Sequence, residues 1–212
     1  MEQLEQTVET IRQQLEEMNG ARDGAYQQSR SLISLCARTI RALHRDEWVK
    51  AEKLMAEAQA EAKAMTDGVA AFPSLYHAGY TQDALKEVAE AFLLHAMLRE
   101  RPLPRPEELN MEATTWLNGL AEAATELRRR ILDIIRHGHT EEVERLLDYM
   151  DQIYSLLVTI DFNDNLTGGL RRRTDTVRAV LERTRGDVTT SLRQAQLEEA
   201  LKGLEQKLES NQ

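Results

Sequence analysis

An all-α fold of seven helices is what the sequence predicts, and three observations predict it. Apolar residues recur at steps of three and four through most of the chain, and no segment shows the period of two that marks a strand. The chain has only four prolines, and three of them fall in one loop. Aromatic residues make up 5% and charged residues 30%, the composition of long amphipathic helices rather than of a sheet. At 212 residues the chain can bury one sizeable core, so a single domain over 1–212 is expected.

Leu4, Val8, Ile11, Leu15 and Met18 form the first seam, spaced for packing on another helix. Asn19-Gly20 marks an interruption or a bend. A second helix is expected from about Ala21 to Leu43, with Leu32, Leu35, Cys36, Ile40 and Leu43 facing inward. On it, Arg30, Arg38, Arg41 and Arg45 fall within about 80° of arc. They make one basic ridge, which is either solvated or meets phosphate. Asp46 is placed to cap a third helix that carries Trp48, Leu54 and Met55 and ends near Gly68. Phe72-Pro73 breaks the pattern, and a fourth helix runs from about Thr81 to Leu98. Arg101-Pro-Leu-Pro-Arg-Pro106 then forces an extended loop.

Asn110 starts the fifth helix, which reaches about Arg136 and contains Arg128-Arg-Arg130. Gly119 lies inside it, where glycine costs about 1 kcal/mol of helix propensity; close approach of a neighbouring helix explains that choice. His137-Gly-His139 ends the helix, and Thr140 caps a sixth that runs to about Ile160. The two histidines there either cap and meet solvent or touch phosphate. Asp161 to Gly169 is dense in turn residues. A last helix follows from about Leu170, with a local charge of +4 between Arg171 and Arg185. Its end, through Leu197, Leu201, Leu204 and Leu208, returns to the spacing of the first seam and is expected to pair with it.

A net charge of −9 argues against a generally basic nucleic-acid binder but allows basic residues gathered on one surface. The single Cys36 excludes an intrachain disulfide and a cysteine metal cluster, and its apolar neighbours make it a core residue. The amino terminus has no basic and apolar leader pattern, and no stretch reaches the ~20 apolar residues of a membrane span. A cytoplasmic protein is expected. There is no Gly-rich phosphate loop, no Gly-x-Ser-x-Gly elbow, no His-Glu-x-x-His pair and no Glu-x-x-His. His95 falls on an apolar face, where a core role is expected.

What remains is carboxylate chemistry. Glu87 and Glu90 lie on the fourth helix, Glu122 and Glu126 on the fifth, and residues three or four apart share a helix face. Packed together, the two faces gather carboxylates that cannot all stay ionised without a cation. Oxygen-only ligands suit Mg²⁺ or Mn²⁺, and such ions serve in-line attack on a phosphodiester.

Three stretches together resemble a family. Trp116-Leu-Asn-Gly-Leu with Thr125-Glu-Leu-Arg is similar to the start of the long central helix of translin and translin-associated protein X. Leu146-Leu-Asp-Tyr-Met-Asp-Gln-Ile-Tyr154 and Leu170-Arg-Arg-Arg-Thr-Asp175 resemble the next helix and the basic head of the last one. The resemblance spans most of the chain from Ala21 and is strongest between residues 116 and 185. It implies a seven-helix, translin-like bundle assembling into a hollow homo-octamer that encloses RNA or single-stranded DNA. In the translin-associated protein X branch it implies a Mg²⁺-dependent endoribonuclease, with a Glu-x-x-Glu on one helix and an Asp-x-x-x-Glu on the next. Glu87 and Glu90 match the first pair, which translin lacks, and Glu122 and Glu126 match the second. Glu122 departs from the family pattern, which has Asp there. The resemblance gives those four glutamates metal-binding and catalytic roles. It assigns nucleic acid to Arg30, Arg38, Arg41, Arg45, Arg171, Arg172, Arg173 and Arg178, on an inner surface. The short chain resembles compact prokaryotic members built from one subunit type.

Three other functions fit parts of the pattern. A translin-like shell binds nucleic acid without cleaving it, with the carboxylates structural. An all-α nucleoside triphosphate pyrophosphohydrolase also builds Mg²⁺ sites from Glu-x-x-Glu, but its second pair is Glu-x-x-Asp, and Thr125 stands three residues after Glu122. A helical scaffold uses neither set.

Overall fold

The computed structural model describes residues 1–138 and 140–209. His139, one of the two histidines expected at the glycine turn, lies outside the described residues. The described residues are 83% helical and all-α, with no strand among them. Six long helices and two single-turn ones are found there: α1 (Glu2–His44), α2 (Trp48–Gly68), α3 (Pro73–Tyr76), α4 (Gly79–Leu98), α5 (Ala113–Ile135), α6 (Glu141–Leu157), α7 (Asp164–Thr167) and α8 (Leu170–Glu209). No helix among the described residues is long and apolar enough to cross a membrane.

The first two expected helices are one. α1 runs unbroken through Asn19-Gly20 for 43 residues, about 64 Å at 1.5 Å per residue. One glycine costs about 1 kcal/mol in a helix, and local bonds offset that here. The Asn19 amide donates to Asp23 across the glycine at 3.4 Å, and Arg22 pairs with Asp23 at 2.7 Å. Glu2 and Glu5 in the first turn and Arg41 and His44 in the last match the helix dipole.

The chain divides by its contacts into two compact units. The first comprises Met1–Phe92 and Pro104–Gly119. In it α1 and α2 pack on one another, burying Leu32, Leu35, Cys36 and Leu43 of α1 and Leu54, Met55 and Met65 of α2. Each such side chain contributes about 1.5–3 kcal/mol by leaving water. Asp46 does not cap α2; it takes a positive φ of 57° in the connecting turn, and Glu47 holds the cap position without a side-chain bond. Pro73 begins the short α3 rather than merely breaking a pattern, because a proline at the first helical position loses no hydrogen bond. Asn110 likewise stands before α5 with φ 50° and does not start it. The indole of Trp116 donates to the Pro104 carbonyl at 2.8 Å, which ties the proline loop to α5.

The second unit comprises Leu93–Leu103 and Leu120–Gln212. α6 buries Val143, Leu146, Met150, Ile153 and Leu157, and α8 packs on it through a face that includes Leu170, Val177, Leu181 and Val188. Ion pairs fasten this unit: Arg128 with Asp187 at 2.8 Å, Arg130 with Glu142 at 2.8 Å and Arg185 with Asp151 at 2.6 Å. Arg128 and Arg130 are therefore structural. The side chain of Asn163 accepts from the Asn165 amide to start α7, and Gly168 closes it in the left-handed region at φ 61°. Thr140 is the N-cap residue of α6 but makes no side-chain capping bond.

Both terminal seams stay open. Leu4 is 57% exposed and Leu15 53%, and at the other end Leu201 is 51% and Leu208 60% exposed.

Candidate functional site

The site begins at a glycine. A Cβ at Gly119 would fall 2.5 Å from the Ala89 Cβ, 2.9 Å from the Lys86 carbonyl oxygen and 3.1 Å from the Glu90 nitrogen. Real Cβ atoms do not come that close, so α5 meets the backbone of α4 at this point only because Gly119 has no side chain. Gly119→Ala is therefore expected to destabilise the chain by about 1–3 kcal/mol through overpacking, despite alanine's better helix propensity. A melting temperature lower by about 2–4 °C per kcal/mol checks it. Ala89→Gly in the same chain is expected to restore part of the loss.

Glu122 follows Gly119 by one turn of the same helix. Glu87, Glu90 and Glu122 each bring a carboxylate oxygen to within 4.8 Å of the other two. Glu90 is 7% exposed, and the side chains of Glu87 and Glu122 are 23% and 27% exposed. Like charges at that separation repel by roughly 3 kcal/mol per pair at an effective dielectric near 20. Two side chains offset part of that: Lys86 pairs with Glu87 at 3.2 Å, and the Arg173 guanidinium donates to Glu122 at 3.0 Å. Cys36 is buried within reach of the charges of Glu87 and Glu90. Burial, and then the charges of Glu87, Glu90 and Glu61, push its thiol well above the ordinary range, so it is an inert core residue. His95 is also buried, at 6% exposure.

The donor set is all oxygen, crowded and partly withdrawn from water, and it fits a hard divalent cation. Three of the four expected glutamates form it. Glu126 stands outside the trio, one turn further along α5 and half-buried.

The arginines divide into two groups. Arg30, Arg38 and Arg41 on α1 and Arg45 at its C-cap are exposed, as the ridge expected. They lie on the face opposite Leu32, Cys36 and Leu43, so the ridge and Cys36 are on opposite sides of one helix. Arg30, Arg38 and Arg41 have no ion-pair partner among the described residues, and like charges at Arg38, Arg41 and Arg45 disfavour the helix by a few tenths of a kcal/mol per pair. At the head of α8, Arg171 and Arg172 are exposed and also unpaired among the described residues. Arg178 pairs with Glu182 at 3.0 Å. Arg173 turns inward to Glu122 and also donates to the Gly168 carbonyl at 3.1 Å. The contact spans 51 residues of sequence, and no local pattern marks it; the three consecutive arginines look equivalent until the helix is placed.

A cleft of about 630 Å³ lies elsewhere in the first unit, lined by Ala56, Gln59 and Lys63 of α2 and by Leu85 and Val88 of α4. It contains none of the three clustered glutamates.

No family model matches the chain. The sequence is 30% identical over 175 residues to the uncharacterized protein MJ0175 of Methanocaldococcus jannaschii, covering 82% of this chain and 78% of that one. Among solved structures, the crystal structure of AfC3PO is similar with a TM-score of 0.80 and 28% identity, over 87% of this chain and 96% of the other. The AfC3PO–duplex RNA complex matches over the same shares at 28% identity and a TM-score of 0.75. Apo-NeC3PO, at 20% identity and a TM-score of 0.79 over the same shares, shares the fold.

Proposed function

The chain belongs to the translin/Trax family, whose C3PO assemblies share its fold, and from that premise we propose that it is a metal-dependent endoribonuclease. The carboxylate trio of Glu87, Glu90 and Glu122 carries the reading. Glu126 is assigned as a further ligand. RNA as the substrate class is supported by the duplex bound to AfC3PO and by the unpaired arginines at the head of α8, next to the residue that touches Glu122.

Glu87, Glu90 and Glu122 would hold Mg²⁺ or Mn²⁺. Such an ion stabilises charge developing on a phosphoryl oxygen and activates water for in-line attack. The chain's own residues do the rest. Burial holds Glu90 in place, and Arg171 and Arg172 bind the phosphate backbone without reading sequence. We assign the wider family organisation as well: one domain over 1–212, a cytoplasmic homo-octamer, and an acidic exterior around a basic interior, which reconciles the net charge of −9 with RNA binding. Single-stranded DNA is a second ligand on this reading. The test is cleavage of labelled single-stranded and duplex RNA with Mg²⁺, Mn²⁺ or EDTA. Metal-dependent cleavage is expected, and binding without cleavage in either metal overturns the enzymatic assignment.

One observation favours a shell that binds without cleaving: Lys86 and Arg173 already balance part of the acidic charge. The two readings separate at Arg173. If Arg173 is a counterion that yields to the metal, Arg173→Met tightens Mn²⁺ binding several-fold in calorimetry. If the carboxylates are purely structural, neither the parent nor the variant binds Mn²⁺ measurably.

A further inference from the structure

The first 18 residues carry an apolar seam that is left exposed from Met1 to Leu15 among the described residues, and we infer that it docks against the same segment of a second copy, antiparallel and two-fold symmetric. Residues 1–17 are all exposed, including Leu4 at 57%, Val8 at 48%, Ile11 at 48% and Leu15 at 53%. This arm is attached to the molecule only as the start of α1. An isolated helix of this length is marginal in water, so an uncovered seam needs a partner to be stable.

The spacing names the partner. Leu4 and Ile11 occupy d positions of a heptad, and Met1, Val8 and Leu15 occupy a positions, with Met18 the next d. Antiparallel helices set a against d. Met1 then faces Met18, Leu4 faces Leu15 and Val8 faces Ile11, each layer occurring twice. The register is palindromic, as an isologous contact requires. The flanking e positions are Glu5 and Arg12. In this register Glu5 of each copy meets Arg12 of the other, which makes two ion pairs and no like-charge contact. At present Arg12 pairs with Glu9 at 2.9 Å, both more than half exposed. Such a surface pair is weak and yields readily.

The alternatives are electrostatically worse. The open seam at the end of α8 has Glu198 and Glu205 at its e positions, so its own antiparallel pairing places glutamate against glutamate twice. Arm against tail gives one favourable contact, Arg12 with Glu198, and one repulsive contact, Glu5 with Glu205. Parallel arms bring Thr7 to Arg12 and Gln14 to Asn19, with no ion pair. Charge selects arm on arm. The contact is independent of whether the chain cleaves RNA.

The experiment uses the full chain with Leu4→Cys and Leu15→Cys together, oxidised mildly and run without reductant. A covalent dimer linked between positions 4 and 15 is expected, with neither single variant dimerising, because in this register two copies of position 4 lie about 16 Å apart along the axis. A disulfide spans only about 7 Å between Cα atoms. Cys36 is buried and contributes no background. Adding Glu5→Arg should lower the yield several-fold, and adding Arg12→Glu to that chain should restore it. No dimer, a dimer from Leu4→Cys alone, or a link from Leu4→Cys to Leu208→Cys each overturns the proposal.

Discussion

Glu90→Gln is expected to lower metal-dependent RNA cleavage by at least about 100-fold while leaving RNA affinity within a factor of about two. Loss of a residue that merely supports a metal ligand costs roughly 10–100-fold in metal affinity or activity, and a ligand itself should cost no less. Glu90 is the decisive member because it is the most buried of the three at 7% exposure; solvent cannot replace its oxygen as it can at the rim. Glutamine keeps the shape and removes one charge, so the packing of α4 survives. The same change should move stability the other way. Without metal, three carboxylates within 4.8 Å repel one another, and removing one charge raises the melting temperature. Added Mn²⁺ stabilises the parent chain by mass action and should barely stabilise the variant. Cleavage at the parent rate, with an unchanged response to Mn²⁺, removes Glu90 from the site.

Much of this was legible from spacing, because helix faces are fixed by a period of 3.6. Leu32, Cys36 and Leu43 are buried as that period requires. Gly119, read as a close approach, proves to be one, since a costly glycine inside a helix has few other physical reasons. Glu87, Glu90 and Glu122 come together on the faces that the three- and four-residue steps assign them. Spacing says nothing about what lies beyond the helix. Arg173 is indistinguishable from Arg171 and Arg172 in the sequence, yet it alone of the three reaches a carboxylate 51 residues away. The α1 ridge is also found where the period puts it, on the side of the helix opposite Cys36. The continuity of α1 through Gly20, with Asn19 bonded to Asp23 and Arg22 paired with it, shows that a lone glycine lowers helix propensity without ending a long helix.

The second large effect separates the two groups of arginines. Arg171→Glu with Arg172→Glu is expected to weaken RNA binding on the order of 10–100-fold at about 0.1 M salt and to flatten the salt dependence by roughly one to two units of slope, as lost phosphate contacts require. Cleavage should fall further than binding, because these residues adjoin Arg173, which holds Glu122 at 3.0 Å. A strand that shifts there is misplaced relative to the carboxylates, and small misplacements cost rate steeply. Arg38→Glu with Arg41→Glu is expected to behave differently. The ridge lies across the thickness of α1 from Cys36, about 10 Å, so its loss should weaken binding and the salt slope while cleavage at saturating RNA stays near the parent rate. Measuring affinity across salt and cleavage at saturation for both pairs distinguishes a backbone-holding surface from one that positions the scissile bond. Equal losses in all four measurements would mean that RNA crosses both surfaces as one path, and the proposed division of labour would be wrong.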